Sequence, residues 1–266
     1  MYFQFSTLLY ATGGDDMAKR IFERIEKKYI VPKCKYEELM QEIKKHMKLD
    51  DYGKHTISNI YFDTENFYLI RHSLEKPLYK EKLRLRAYGV PSDKSEVFIE
   101  IKKKYQHVVY KRRIALKLNE ARAYLYNNIS PEKLEKEQIF KEIEYMKHNL
   151  DLEPKVYIAY DRLAYYGIDD AEFRITFDTN IVARNHNLDI TKRQCDIELL
   201  GKDFYIMEVK INMAMPLWLC HILSELNIYQ SSFSKYGEYY KSTIYKNINT
   251  VSKRKIAVGR CAAVSV

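Results

Sequence analysis

Several segments of the chain alternate charged and apolar residues with the two-residue period of a β-strand, and the clearest reads Lys-Glu-Lys-Leu-Arg-Leu-Arg at residues 80–86. Successive side chains of a strand point to opposite faces of its sheet, so the basic residues would share one face: Lys80, Lys82, Arg84 and Arg86. Like charges about 7 Å apart repel by roughly 2 kcal/mol at an effective dielectric constant of 20. This strand alone predicts equally a solvated sheet face or a site for an anion.

The segments predicted to be strands are spread along most of the chain. They are 24–31, 57–63, 80–88, 97–104, 107–118, 155–162, 172–177 and 205–211. Helical patterns lie between them: an apolar stripe over 34–47, a segment that starts at Ser130 with a proline in its first turn, and a segment that follows Pro216. This order of elements indicates an α+β fold and not a series of βαβ units.

In most of these segments the charged residues share one face and the apolar residues share the other. Glu100 and Lys102 follow this pattern, and so do Glu208 and Lys210. A surface sheet would expose one such face, whereas eight strands suffice to close a barrel. We therefore predict an eight-stranded antiparallel β tunnel, or barrel, with a charged lumen and an apolar outer face that is packed by helices.

The two ends of the chain differ in composition from the region between them. Residues 1–16 end in Gly-Gly-Asp-Asp before a strongly patterned segment, and the chain beyond residue 247 becomes rich in Lys and Arg and then in small residues. We predict a flexible extension at 1–16, one tunnel domain at 17–246 and a flexible tail at 247–266.

The net charge of +9 favours polyanionic partners: nucleic acid, nucleotides, phosphate chains or acidic membrane surfaces. The four cysteines form no Cys-x-x-Cys pair, which argues against a zinc site and a disulfide scaffold and favours the reducing cytoplasm. No apolar run approaches the roughly 20 residues that cross a bilayer, and residues 1–11 lack the basic start of a signal peptide. We expect a cytoplasmic protein with no membrane segment in this chain.

A lumen lined by unpaired cations requires anions or water, because such a cluster combines desolvation with mutual repulsion. A triphosphate or a longer phosphate chain fits, since Arg forks bind phosphate oxygens bidentately and Lys acts as a point charge. The carboxylates of Glu26, Glu100 and Glu208 either pair with these bases or hold a divalent cation, and Glu208 is the preferred metal ligand. The chain contains no Gly-rich phosphate loop and no nucleophile motif, so side chains must hold the phosphates.

Eight short motifs occur in order along the chain, and together they resemble a known family. They are Arg-Ile-Glu-Lys-Lys-Tyr (24–29), Ser-Asn-Ile-Tyr-Phe-Asp-Thr (58–64), Lys-Leu-Arg-Leu-Arg-Ala-Tyr-Gly (82–89), Phe-Ile-Glu-Ile-Lys-Lys-Lys (98–104), Ala-Tyr-Asp-Arg (159–162), Phe-Arg-Ile-Thr-Phe-Asp (173–178), Met-Glu-Val-Lys (207–210) and Phe-Ser-Lys-Tyr (233–236). The chain resembles the vacuolar transporter chaperone (VTC) type of polyphosphate polymerase domain, a branch of the CYTH-like triphosphate tunnel metalloenzymes.

The resemblance implies an ATP-polyphosphate phosphotransferase, which moves the γ-phosphoryl group of ATP to a growing inorganic polyphosphate chain and releases ADP. It implies catalytic roles for Lys28, Arg84, Arg86, Lys102 and Glu208. It implies substrate-binding roles for Lys111, Tyr160, Arg162, Arg174, Lys210, Ser234 and Lys235. By the same resemblance, Glu208 would hold Mn²⁺ or Mg²⁺, and no protein nucleophile is needed.

The chain departs from the hydrolytic members of this superfamily, which begin with Glu-x-Glu-x-Lys, because Arg24 occupies the first position. The loss of one carboxylate should weaken a second, water-activating metal and so favours transfer to phosphate over hydrolysis. Two alternatives remain: an inorganic or nucleoside triphosphatase of the same fold, and a non-catalytic binder of polyphosphate or nucleic acid. We do not expect nucleic acid as a partner, because the basic residues lie on strand faces interleaved with carboxylates.

Overall fold

The computed structural model of the protein describes residues 25–247 except residues 107, 135–136, 193–195 and 213 and the side chain of Lys133. Arg24, the predicted extension at 1–16 and the predicted tail from residue 248 onward lie outside the described residues.

The strands of the described residues belong to one antiparallel sheet. They are β1 (Ile25–Pro32), β2 (Met47–Leu49), β3 (His55–Asp63), β4 (Tyr79–Tyr88), β5 (Glu96–Tyr105), β6 (Val108–Lys117), β7 (Glu153–Gly167), β8 (Arg174–Arg184), β9 (Ile197–Glu198), β10 (Phe204–Ile211) and β11 (Gln230–Ser231). Each of the eight predicted strands is present within a few residues of its predicted bounds, except that β7 and β8 extend further. The additional strands β2, β9 and β11 have two or three residues each, too few to show a two-residue period.

The helices are α1 (Lys33–His46), α2 (Tyr68–Leu74), α3 (Leu118–Asn127), α4 (Gln138–Asn149), α5 (Leu217–Glu225) and α6 (Lys235–Tyr239), with a 3-10 turn at Glu132–Leu134 and a π-helical segment at Tyr240–Tyr245. The predictions of α1 and α5 are confirmed. The prediction of a helix from Ser130 is wrong, because that signal starts only the 3-10 turn and α4 begins at Gln138. None of the described helices has both the length and the apolar character needed to cross a membrane.

The sheet has the strand order β11-β1-β10-β8-β7-β3-β4-β5-β6, while β2 pairs with β7 and β9 pairs with β8. Among the described residues no strand pairing joins β6 to β1 or β11, so the eight-stranded closed barrel is not confirmed. The sheet is nevertheless strongly curved. Lys102 of β5 donates from Nζ to Glu26 Oε2 of β1 at 2.9 Å, although these strands lie near opposite ends of the strand order.

The convex face of the sheet is apolar and is covered by helices, as predicted. One cluster joins Leu83, Leu85 and Ile99 to α3 and α4. A second cluster joins β1, β8 and β10 to α1 and α5, with Met207 and Leu219 at its centre. The antiparallel α+β architecture with outer helices is therefore confirmed, and burial of these side chains is the main source of its stability.

The concave inner face is only partly charged, which corrects the prediction of a charged lumen throughout. Apolar side chains occupy one part of it, among them Ile158, Ile181 and Ile206, and these pack against residues 233–244, here called the plug. The plug contributes aromatic rings, including Phe233 and Tyr239. The sequence pattern did not reveal it because the plug follows the last long strand and only the fold brings it to the inner face.

Candidate functional site

Strand register places the predicted basic residues on the inner face in adjacent rows. On one side of the sheet, Lys82 pairs with Lys102, Arg84 with Glu100, and Lys102 in turn with Lys111. On the other side, Lys28 pairs with Glu208, Lys210 with Glu26, and Arg162 with Asp178. The two sides meet at the ion pair between Lys102 and Glu26.

Glu100 holds the cations of the first side in place. Its Oε2 accepts from Arg84 Nε at 2.8 Å and lies 2.7 Å from Arg84 NH2 and 3.7 Å from Arg86 Nε. Its Oε1 lies 2.8 Å from Lys111 Nζ. Burial alone would raise the pKa of Glu100, but Arg84, Arg86 and Lys111 lower it to about 2. This carboxylate, only 1% exposed, is therefore ionised at all physiological pH values.

Asp178 has the same role on the second side. It accepts a bidentate contact from Arg162, with Nε to Oδ1 at 2.6 Å and NH2 to Oδ2 at 2.8 Å, and a bond from Lys235 Nζ at 2.6 Å. Burial would raise its pKa, yet Arg162 and Lys235 lower it to about 2. Asp178 thus fixes a residue of the plug beside a strand residue that is far away in sequence.

Glu208 is buried among cations. Its Oε2 lies 3.7 Å from Arg162 NH2, and it pairs across the strands with Lys28, whose Nζ donates to the carbonyl of Phe233 at 2.9 Å. Burial opposes its ionisation, but Lys28, Lys210 and other nearby cations hold the pKa of Glu208 well below its usual range.

The donor set around Glu208 constrains any metal ion. The described residues contain no group of three His, Cys, Asp or Glu side chains that could form a protein-only metal site. A Mg²⁺ ion that is bound with substrate phosphates usually takes only one or two protein carboxylates. Glu208 therefore fits a metal that it shares with phosphate oxygens and does not fit a metal held by the protein alone.

The surroundings of several inner-face lysines disfavour the charged form of the side chain. Burial and neighbouring cations lower the pKa of Lys82 to about 8, and burial above all lowers the pKa of Lys111 to about 8 although Glu100 raises it. The pKa values of Lys28 and Lys210 are also lowered, mainly by burial. Because desolvation and repulsion disfavour these ammonium groups, a bound polyanion would stabilise them.

The remaining predicted residues fall into two groups. Tyr160 is buried and its hydroxyl accepts from Arg86 NH2 at 3.3 Å, and Ser234 Oγ accepts from Lys82 Nζ at 3.5 Å. These contacts bring both residues into the site. Arg174 is exposed at the first position of β8, opposite Lys210, so the structure places it at the edge of the site and not within it.

Four residues that the predicted site omits also belong to it: Asn59, Tyr61, Lys82 and Asp178. Asn59 Oδ1 accepts from Arg86 Nε at 3.0 Å, while its Nδ2 donates to the carbonyl of Ile158 at 3.2 Å. Tyr61 accepts from Arg84 NH1 at 3.1 Å, and although burial raises its pKa, Arg84, Lys82 and Arg86 lower it to about 8. Polar side chains at alternate positions of an apolar strand were the available signal for Asn59 and Tyr61.

Comparison with known proteins gives a family and a fold. The family model described as the VTC domain matches residues 23–244. The vacuolar transporter chaperone complex subunit 4 of Trypanosoma brucei brucei is 30% identical over 218 residues, which cover 69% of this chain and 27% of that protein. The chain thus matches about a quarter of the length of this relative.

Two solved structures of low sequence identity align with the chain. A "putative adenylyl cyclase" from Hippeastrum, described as having a dominant triphosphatase activity, aligns with a TM-score of 0.50 at 15% identity, over 82% of this chain and 95% of that chain. A "putative adenylate cyclase" from Bacillus halodurans aligns with a TM-score of 0.49 at 16% identity, over 79% of this chain and 93% of that chain. At 15% identity, the similarity to the Hippeastrum structure concerns the fold alone.

Proposed function

This chain belongs to the VTC domain family, and we propose that it is a polyphosphate polymerase that transfers the γ-phosphoryl group of ATP to inorganic polyphosphate. The observation that carries this proposal is the row of inner-face cations, which outnumber the carboxylates that the described strands place among them. Lys28, Lys82, Lys111 and Lys210 all have lowered pKa values, mainly because burial disfavours their charged forms. A ligand with many negative oxygens offsets this cost.

The arginines are prepared for phosphate oxygens. Glu100 and Tyr61 orient Arg84, while Asn59 and Tyr160 orient Arg86. Each guanidinium has five N–H donors, so those that are not used in these contacts are free to bind phosphate. Because the side chains are already held, less conformational entropy is lost when the substrate binds.

In the proposed reaction, a terminal oxygen of the polyphosphate chain attacks the γ-phosphorus of ATP, the bond to the β,γ-bridging oxygen breaks, and ADP leaves with that electron pair. Both reactants are anions, so the inner-face cations accelerate the step by holding them together and by neutralising charge. The attacking oxygen is ionised at neutral pH and needs no general base.

The state of the carboxylates favours transfer to phosphate over hydrolysis. Activation of a neutral water benefits from a base whose pKa lies near the working pH. The pKa values of Glu100 and Asp178 are about 2 because cations surround these groups, despite burial that opposes ionisation, and that of Glu208 is also well below its usual range. All three are poor bases.

We propose further that Mn²⁺ or Mg²⁺ enters the site with the phosphates and that Glu208 is its protein ligand. When bound, such an ion would neutralise part of the negative charge of the phosphates. Lys28 and Arg162 lie beside Glu208, so they keep this carboxylate ionised and ready for the ion.

Two other functions make different predictions. A triphosphatase, which the description of the Hippeastrum protein suggests, would release free phosphate in proportion to ATP consumed, whether or not polyphosphate is added. A non-catalytic polyanion binder would bind with a steep salt dependence and would still bind after the change Glu208→Gln.

The deciding experiment incubates the purified chain with ATP and Mn²⁺ and separates the products on a gel. We expect a ladder of polyphosphate. Glu208→Gln and Arg84→Ala should each reduce the amount of polyphosphate by about a hundredfold, which is the typical effect of removing one charge-stabilising group from a preorganised site. Lys111→Gln is a second variant of the binding site. The Lys111 side chain is partly exposed, so its replacement should disturb the fold less than replacement of a buried residue. Arg112→Ala, an exposed residue on the convex face of β6, is the matched control. ADP and free phosphate without a ladder would refute the proposal.

A further inference from the structure

A row of aromatic side chains lies on the inner face at the end where β3 begins and β4 ends. The ring centroids of His55 and Tyr88 are 5.9 Å apart, and those of Tyr88 and Phe98 are 5.8 Å apart. Arg113 completes the row, with Cζ 4.3 Å from the centre of the Phe98 ring. We call these four residues the aromatic rim.

The aromatic rim lies immediately beyond the arginines of the phosphate site. Arg84, Arg86 and Tyr88 occupy alternate positions of β4 and therefore share a face, about 7 Å apart from one to the next. Phe98 pairs directly with Arg86 across β4 and β5. A nucleotide that enters from this end of the inner face, with its terminal phosphates on Arg84 and Arg86, would place its ribose and base at Tyr88 and Phe98.

The rings of the aromatic rim are arranged to accept another ring. Tyr88 and Phe98 meet at 77° and His55 and Tyr88 at 56°, so none of these rings covers the face of its neighbour in a parallel stack. Tyr88 is 46% exposed, which leaves much of its surface to solvent. Aromatic and guanidinium groups are the usual partners of nucleobases, because every base has a π-face.

We propose that the aromatic rim binds the base of a nucleoside triphosphate by stacking, with Tyr88 as the main contact and Arg113 and Phe98 as support. This inference rests on the proposed function, since it assumes that the adjoining arginines bind phosphates. It adds a chemical distinction: polyphosphate has no ring and gains nothing from the aromatic rim. A purine, with the larger ring system, gains more than a pyrimidine.

The test measures binding of ATP, UTP and inorganic tripolyphosphate by titration calorimetry, with the full chain and with Tyr88→Ala. We expect the variant to bind ATP about tenfold more weakly, UTP less affected, and tripolyphosphate unchanged, because stacking on one ring is worth on the order of a factor of ten. Tyr88→Trp should retain ATP binding, and its added indole fluorescence should be quenched by ATP and not by tripolyphosphate. Tyr110→Ala, an exposed tyrosine on the convex face of β6, is the matched control.

The outcomes separate this inference from the proposed function. If Tyr88→Ala weakens ATP and tripolyphosphate equally, or weakens neither, the stacking site is wrong while polymerase activity can still stand. If ATP binds and depends on Tyr88 but no polymer forms, the nucleotide site stands and the polymerase is wrong. If the unaltered chain binds none of the three probes, both are wrong.

Discussion

Binding of ATP should draw protons from solution at pH 8. Burial and nearby cations lower the pKa of Lys82 to about 8, and burial lowers that of Lys111 to about 8, so each is about half protonated in the free protein at that pH. Phosphate oxygens placed beside them favour the charged form and raise both pKa values toward the ordinary value for lysine, about 10.4. Each lysine then takes up as much as about half a proton.

The side chain of Lys111 is 41% exposed, so solvent screens its neighbours and its share is smaller. Tyr61, whose pKa is also about 8, takes up a proton in the same way, so we expect uptake of between about one half and one and a half protons per ATP bound at pH 8, and more at pH 9. Affinity is highest below pH 8, where both lysines are already charged, and falls as pH rises through 8, because binding must then include protonation.

The assay is titration calorimetry with metal-free ATP at pH 8 and pH 9, each in two buffers of different ionisation enthalpy. ATP is fully ionised at both values, since the second pKa of a terminal phosphate is about 6. Lys82→Met should remove roughly a third to a half of the uptake, whereas Lys141→Met, on the exposed surface of α4, should remove none. Heats that do not depend on the buffer, or full uptake by Lys82→Met, would refute the reasoning.

Two further predictions concern stability. Glu100→Gln removes the anion that neutralises Arg84 and Lys111. The pKa of about 2 for this buried carboxyl corresponds to about 3 kcal/mol of unfolding free energy at pH 7, which the variant should lose. Because the folded-state pKa of Glu100 lies below its unfolded value, the ionised carboxylate stabilises the fold above about pH 5. The difference in urea unfolding free energy between the unaltered chain and Glu100→Gln should therefore shrink as pH falls through about 4. Tyr236→Phe removes a bond to buried Asp63 Oδ2 at 2.9 Å, and we expect urea unfolding to show a loss of about 2 kcal/mol with weaker ATP binding. Equal stability of this variant and the unaltered chain would contradict a role for that bond in holding the plug.

The two-residue period carried most of the correct predictions. It located β4 and β5, and it assigned Arg84, Arg86 and Lys102 to one face and their apolar neighbours to the other. That assignment holds because side-chain direction in a strand is a local property. The same local reasoning predicted α1 from its apolar stripe, and the ordered motifs indicated the family.

The two-residue period also extends to neutral polar residues of β3. Asn59 and Tyr61 alternate with buried apolar residues of β3, and their contacts with Arg86 and Arg84 place them in the site. Charge identifies Lys and Arg but does not identify the neutral residues that orient them.

Which side chains meet depends on the three-dimensional arrangement of the strands and the plug. The contact of Lys102 with Glu26 depends on the curvature of the whole sheet, and that of Asp178 with Lys235 depends on where the plug returns. Neither is a property of one strand. The alternation of Lys, Arg and Glu thus determined that one face of the sheet is charged. Register and curvature determined which of those charges the protein neutralises itself and which it leaves for an anion.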